Sequence, residues 1–383
     1  MDHEYIHYSH QTIDEDDIKA VNKVLISDWL TTGPMVDQFE EDMMKQCGCK
    51  YAVAVSSGTA ALHAAMFAIG LQPGDEVIVP TITFASTANV VALMGATPIF
   101  CDIDSDTLLI NIDDVCNKIT DKTKAIIAVD YAGQPCDYMK LKYLSKLYDL
   151  ILVADACHSL GGSYCNIKVG SDLADVSVFS FHAVKGVTTG EGGMVVTNDE
   201  TFYERAKRFR NHGITTDHRQ RTERGSWYYE MVDLGFNYRI TDIQCALGVS
   251  QLRKLPVFIE LRNDIAMAYD KFFREIVDIR PLRKNENVVH AYHLYVVKCL
   301  NAGMRQFMFR YLRGNNIGVN VHYIPVHLHP YYQKNYNTRS GMLKNAECVY
   351  KQILSLPIFP AMSKCQFDRI TDAITKGLKG YYE

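Results

Sequence analysis

Residues 178–199 read VFSFHAVKGVTTGEGGMVVTND. An apolar run ends at Ser180 and His182, a single lysine follows at Lys185, and a glycine-rich turn leads into a second apolar run. Short apolar runs with little alternation, bounded by glycine and polar residues, predict strands covered on both faces. A lysine at the edge of such a core is costly unless something pairs with it or uses it. Taken alone, Lys185 has a simpler account, a stem crossing apolar surface with its amine in water. The glycines of GEGG (190–193) let the backbone turn sharply and lie close to a neighbour.

The same texture extends upstream. YAVAV (51–55), EVIVP (76–80), TPIFCDI (97–103), AIIAVDY (125–131), LILVADA (150–156) and DVSVFSF (175–181) read as buried strands. Helical patterns fall between them at 56–70, 83–95 and 141–148, and an acid-led surface helix is predicted over 14–27. Strand–helix alternation of this kind predicts an α/β doubly wound, mostly parallel sheet. Beyond residue 250 the pattern changes. Residues 251–277 predict a long helix broken near Pro256, residues 290–300 and 317–328 predict strands, and a helical stretch closes the chain. The expected division is a large domain over 1–250, with its N-terminal segment packed on the small domain, and a smaller α+β domain over 251–383.

The chain's 383 residues suffice for two domains. A net charge of −4 offers no general attraction for nucleic acid or an anionic membrane. The basic run RAKRFR (205–210) lies at helical spacing and reads as a solvated face. Eleven cysteines include no CxxC pair, and no metal-binding spacing is present. With a polar start, MDHEYIHYSH, and no apolar run long enough to span a bilayer, reduced thiols in a cytoplasmic protein are expected.

Four features fall where a parallel sheet places its sites, at the carboxyl ends of strands. In VSSGTAAL (55–62) a strand ends, Ser57, Gly58 and Thr59 turn the chain, and a helix begins whose free N–H groups suit an anion. In LVADACH (152–158), Asp155 ends an apolar strand, where a carboxylate needs a partner, and His158 follows. Ser180, His182 and Lys185 form the third. TFAST (83–87) places Phe84 at the start of the next helix. Each has a plain structural account when taken alone: an N-cap, a satisfied histidine, a core aromatic. Together they suit a flat, phosphate-bearing, positively polarised ring that bonds to an amine, which is pyridoxal 5′-phosphate. Asp155 keeps the ring nitrogen protonated, and burial lowers the Lys185 amine toward its free form.

These residues also carry a resemblance. SGTAAL, TFASTAN, ADACHSLGGSY, FSFHAVKGVTTGEGG and GFNYRITDIQCALGVSQL resemble the DegT/DnrJ/EryC1/StrS sugar-nucleotide aminotransferases, fold-type I pyridoxal-phosphate enzymes with a seven-stranded sheet and a smaller C-terminal domain. The resemblance implies that Lys185 is the Schiff-base lysine and proton shuttle and Asp155 the pyridinium partner. It places His158 near the phenolic oxygen, Phe84 on the ring, and Ser57, Gly58, Thr59 and Ser180 around the phosphate. It implies a homodimer with shared sites, in which Asn237 reaches the partner's cofactor and the segment 212–230 closes over it. Thr31, Thr32, His182, Arg239, His322 and Tyr323 match segments that line the sugar pocket.

FSFHAVKGVTTGEGG, with His182, is similar to the members that aminate carbon 4 of the sugar. RNHGITTD, WYYE and DLGFNYRITDIQ resemble the pseudaminic-acid branch, whose substrate is a UDP-linked 4-keto-6-deoxy-N-acetylhexosamine; a 4-keto-6-deoxyglucose nucleotide is the related possibility. The implied donor is L-glutamate, with 2-oxoglutarate released. Ala154 before Asp155 and Gly186 after Lys185 depart from the commoner family residues and bear on loop geometry alone. Two alternatives stand beside this reading. One is a catalytically silent regulatory or binding homologue. The other is a family dehydratase, which carries histidine where this chain has Lys185.

Overall fold

The computed structural model describes residues 4–383. In chain order its strands are β1 (Tyr51–Val55), β2 (Glu76–Pro80), β3 (Thr97–Cys101), β4 (Thr123–Val129), β5 (Ile151–Asp155), β6 (Ser163–Tyr164), β7 (Ile167–Lys168), β8 (Val176–Ser180), β9 (Gly193–Thr197), β10 (Ile279–Pro281), β11 (Val288–Val289), β12 (Tyr295–Cys299) and β13 (Ile353–Leu356). Seven of them form the large sheet in the order β1-β9-β8-β5-β4-β2-β3. Only β9 runs against its neighbours. The carboxyl ends of β1, β2, β4, β5 and β8 therefore share one edge. The strands are buried almost throughout, which explains why they lack polar alternation.

Helices Gly58–Ala68 and Ser86–Leu93 bury small and apolar residues, such as Ala61, Ala65 and Val90, against this sheet. The expected acidic helix is Glu15–Leu25, begun by a capping box between Asp14 and Asp17. The predicted break at Pro256 does not occur. One helix, Asp242–Phe273, runs for 32 residues with Pro256 inside it and passes through the expected boundary at 250/251. An interior proline costs a helix about 3 kcal/mol. Burial of Leu252, Leu255 and Phe258 around it, with packing against Glu15–Leu25 and Pro34–Cys47, holds the helix together.

A second buried cluster surrounds the antiparallel β10-β12-β13 sheet and helices Ala302–Gly314 and Lys364–Tyr382. Ile6 joins that cluster by bridging Ile317. The guanidinium of Arg262 is buried there and donates to the carbonyls of Tyr292 and Ile358 at 3.1 and 3.0 Å. Of the two predicted later strands, 290–300 yields β12, while 317–328 yields only single bridges, Ile317 to Ile6 and Asn320 to Ser355. The ladder stops because the His322 carbonyl is taken by the Tyr131 hydroxyl and Pro325 has no N–H to give.

Candidate active site

The site lies at the shared strand edge. Helix Gly58–Ala68 leaves β1 with Ser57 as its N-cap, whose hydroxyl accepts from the Ala60 N–H at 3.1 Å. The cap leaves first-turn N–H groups, at Gly58 and Thr59, without helical partners. A Cβ built on Gly58 lies 2.8 Å from Ser180 Cβ, 3.0 Å from Ser180 Oγ and 3.5 Å from Cys157 Sγ. Glycine therefore lets the helix start approach β8 closely, so that its free N–H groups lie beside a hydroxyl and a thiol, an arrangement that suits a phosphate. Gly193 of the GEGG run packs against the same cap, with its Cβ position 2.2 Å from the Ser57 carbonyl oxygen.

Asp155 is the last residue of β5 and is buried. Its carboxylate accepts from the Thr87 hydroxyl at 2.7 Å and, more weakly, from the Cys157 N–H at 3.4 Å. Thr87 also bonds Thr83 at 2.8 Å, and because its own proton goes to Asp155, Thr83 is the donor. This relay was missed by the sequence reading. Its signal was the spacing of the two threonines in TFAST, four residues apart.

Lys185 sits half-buried on the loop after β8, its N–H bonded to the His182 carbonyl at 2.9 Å. Burial pushes the ammonium down from its usual value, while the Cys157 thiol and the Asp155 carboxylate pull the other way. His158 faces Tyr323, with Nε2 to Oη at 3.3 Å. Burial holds it well below the usual histidine range, helped by Lys185 and His322, and its Nδ1 is shielded without a partner. Burial likewise lowers His322 to about 4, assisted by Lys185. Burial raises the Tyr323 hydroxyl, so it keeps its proton. Phe84 lies just before Ala85, the N-cap of helix Ser86–Leu93; it is exposed and edge-on to Tyr323 at 6.1 Å.

Of the remaining expected residues, His182 shares the Lys185 loop with its side chain turned outward, and the others are placed elsewhere. His182 is exposed, 3.9 Å from the Glu191 carboxylate. Thr31 bridges Thr241, Asn237 bridges Asn211, and Arg239 donates to the Asn211 side chain at 2.8 Å. Thr32 and Arg239 line a separate cavity of about 190 Å³ with Asp37, Glu40 and Arg219. Among the described residues, no hydrogen bond, ion pair or ring contact joins Thr31, Thr32, Asn237 or Arg239 to Lys185, Asp155 or His158. His293, absent from the sequence reading, does join the site. Its ring centroid lies 4.3 Å from that of His158, and its buried Nδ1 is also unpartnered.

A helix start with free N–H groups beside a hydroxyl, a buried carboxylate held by the Thr87 hydroxyl and a long bond from the Cys157 N–H, an amine lowered by burial and neutral histidines fit pyridoxal 5′-phosphate. A model of the DegT/DnrJ/EryC1/StrS aminotransferase family matches residues 11–375. The chain belongs to this family. It is 39% identical to SpsC of Bacillus subtilis, a spore coat polysaccharide biosynthesis protein, over 98% of both chains. It is 34% identical to Helicobacter pylori PseC, an aminotransferase involved in the biosynthesis of pseudoaminic acid. That structure matches 98% of this chain and 100% of its own with a TM-score of 0.92. Spr1654 of Streptococcus pneumoniae, in its PLP form, is 31% identical over 98% of this chain and 99% of its own, with a TM-score of 0.91. The DegT/DnrJ/EryC1/StrS protein described here is thus a sugar aminotransferase of amino-sugar biosynthesis whose cofactor is pyridoxal 5′-phosphate. Among its described residues, no helix is long and apolar enough to cross a membrane.

Proposed function

We propose that the enzyme moves the amino group of L-glutamate to carbon 4 of a UDP-linked 4-keto-6-deoxyhexose, in two half-reactions, as a cytoplasmic homodimer. One observation carries this reading. The loop after β8 delivers Lys185, its amine lowered by burial, beside Asp155, with Ser180 against the Gly58 cradle and His182 three residues ahead.

When bound, pyridoxal phosphate supplies the electron sink. The chain does the rest. Gly58, Thr59, Ser57 and Ser180 would hold the phosphate, Asp155, oriented by Thr87, would pair with the ring nitrogen, and Phe84 would pack on the ring. Lys185 Nζ takes the proton from the donor's α-carbon and later returns one at sugar carbon 4, a transfer of the kind typically worth about 10²–10⁴-fold. His158, held neutral by burial and with its Nδ1 unpartnered, can offer a hydrogen bond near the amine, while His322, engaged by Ser355 and Asn320, stays neutral and adds no competing cation.

The dimer is supported by an exposed apolar strip that includes Trp227, Leu234 and Phe236, which a second copy would cover. In that arrangement Asn237 reaches the partner's phosphate, and Thr31, Thr32, Arg239 and Tyr323 contribute to the sugar pocket. The test is incubation with ¹⁵N-glutamate and a UDP-linked 4-keto-6-deoxy-N-acetylhexosamine, with the product read by NMR. Label on carbon 4 with release of 2-oxoglutarate is expected. Label on carbon 3, or no labelled sugar from any 4-keto nucleotide tried, overturns the reading.

A further inference from the structure

One turn outside the recognisable motifs touches all three histidines around Lys185. It is Tyr131–Gly133, entered from β4 through Asp130. The Tyr131 hydroxyl donates to the His322 carbonyl. The carbonyls of Ala132 and Gly133 accept from the N–H groups of Leu294 and Ala291 at 3.1 and 2.9 Å, bracketing His293. Gly133, at φ 102°, lies so close that a Cβ there falls 2.8 Å from the His158 carbonyl oxygen and 3.0 Å from the His293 nitrogen.

The turn is anchored by Asp130, which has no exposed surface. Its N–H donates to the Asp155 carbonyl at 3.1 Å, continuing the β4–β5 ladder. Its two carboxylate oxygens serve different partners. Oδ1 accepts from the Cys136 N–H at 2.9 Å and the Tyr138 hydroxyl at 2.8 Å, both within its own connection. Oδ2 accepts from the Ser159 hydroxyl at 2.6 Å, on the loop that carries Asp155 and His158. Burial raises this carboxyl to about 6 against the pull of those donors, so it is largely ionised at neutral pH and holds them as an anion.

We infer that Asp130 is a positioning residue of the active site: by holding Ser159 it locks the turn to the Asp155–Ser159 loop and sets His158 against His293 and His322. The inference rests on the pyridoxal-phosphate aminotransferase reading. The two oxygens divide between Asp130's own connection and the loop of the site. The division also allows the two roles to be separated by substitution.

The experiment uses the full-length protein reconstituted with pyridoxal phosphate. Visible absorption reads the cofactor's dissociation constant and the pH midpoint of its band, and calorimetry reads Tm. Ser159→Ala and Asp130→Asn are each expected to weaken cofactor binding by roughly tenfold, the scale of a hydrogen bond to a charged group. Both are expected to move the band's midpoint in the direction that His158→Ala moves it, and the double variant to add little to either. Tyr138→Phe is expected to lower Tm while leaving affinity and midpoint at wild-type values. Ser159→Ala decides alone should Asp130→Asn fail to fold. If Ser159→Ala lowers only Tm, or tracks Tyr138→Phe, Asp130 is structural and the inference is overturned while the wild-type band stands. A wild-type protein that takes up no cofactor overturns the aminotransferase reading, and the inference with it.

Discussion

The Thr87 hydroxyl donates to Oδ2 of Asp155 across 2.7 Å, and Thr83 donates to Thr87 in turn. A buried carboxylate at the end of an apolar strand is thereby oriented through one oxygen, while the other has only a long 3.4 Å bond from the Cys157 N–H. Removing a partner from a charged buried group costs about 1.5–3 kcal/mol. Thr87→Val is therefore expected to raise the cofactor's dissociation constant at least roughly tenfold, with Thr87→Ser close to wild type. Equilibrium titration of the visible band checks this. Equal affinity in wild type and Thr87→Val would show that Asp155 needs no such guide.

Gly58 is the floor of the anion cradle. Alanine suits a helix's first turn, so Gly58→Ala should fold, with Tm lowered by the shift its methyl group forces on Ser180. That methyl group falls 2.8–3.0 Å from Ser180 and displaces its hydroxyl from the helix start. Loss of most cofactor uptake is the expected outcome, measured by absorption after gel filtration. Full uptake would place the phosphate elsewhere.

Acid should destabilise the fold before any carboxylate pair breaks. Burial holds His290 at about 3, His322 at about 4, and His158 and His293 well below 6.5. As pH falls below 6.5 the unfolded chain binds protons that the folded chain refuses, so stability drops. Asp130, raised from 3.8 to about 6, works in the opposite direction as pH falls through that interval, but it is one group against four. Calorimetry at pH 7, 6 and 5 should show Tm falling. His290→Gln should flatten the slope by up to about 1.4 kcal/mol per pH unit. A Tm that holds or rises toward pH 5 would show that these histidines charge in place.

Arg219 grips Asp37 with two bonds, at 2.6 and 2.8 Å, and ties the segment 212–230 to helix Pro34–Cys47. Both side chains keep solvent contact, so the pair contributes modestly, about 0.3–1 kcal/mol. Asp37→Asn should raise tryptic cleavage at Arg221 and Arg224 by about twofold to fivefold. Unchanged cleavage would mean that the segment is held by other contacts.

Much of the site was legible because its signals are local. Ser57 ends a strand and caps a helix within VSSG, and Asp155 and Lys185 interrupt apolar runs where a charge needs a reason. Where local rules met tertiary packing, packing prevailed. Pro256 breaks an isolated helix, yet buried neighbours on both sides carry the helix through it. Residues 317–328 alternate like a strand, yet a tyrosine 191 positions away takes the carbonyl that a ladder would need.

The sequence by itself determined the parallel α/β sheet, the capped helix start at Ser57 and the placing of Asp155 at the end of a buried strand and Lys185 just beyond another, because strand period, capping and the cost of a buried charge act over a few residues. The tertiary structure alone decided which loops meet. Sheet order puts β1, β5 and β8 on one edge, Asp130 reaches Ser159 across 29 positions, and the distant segments of His293 and His322 close on His158 through the turn Tyr131–Gly133. Those contacts depend on how strands far apart in the chain lie side by side, and no local pattern encodes that distance.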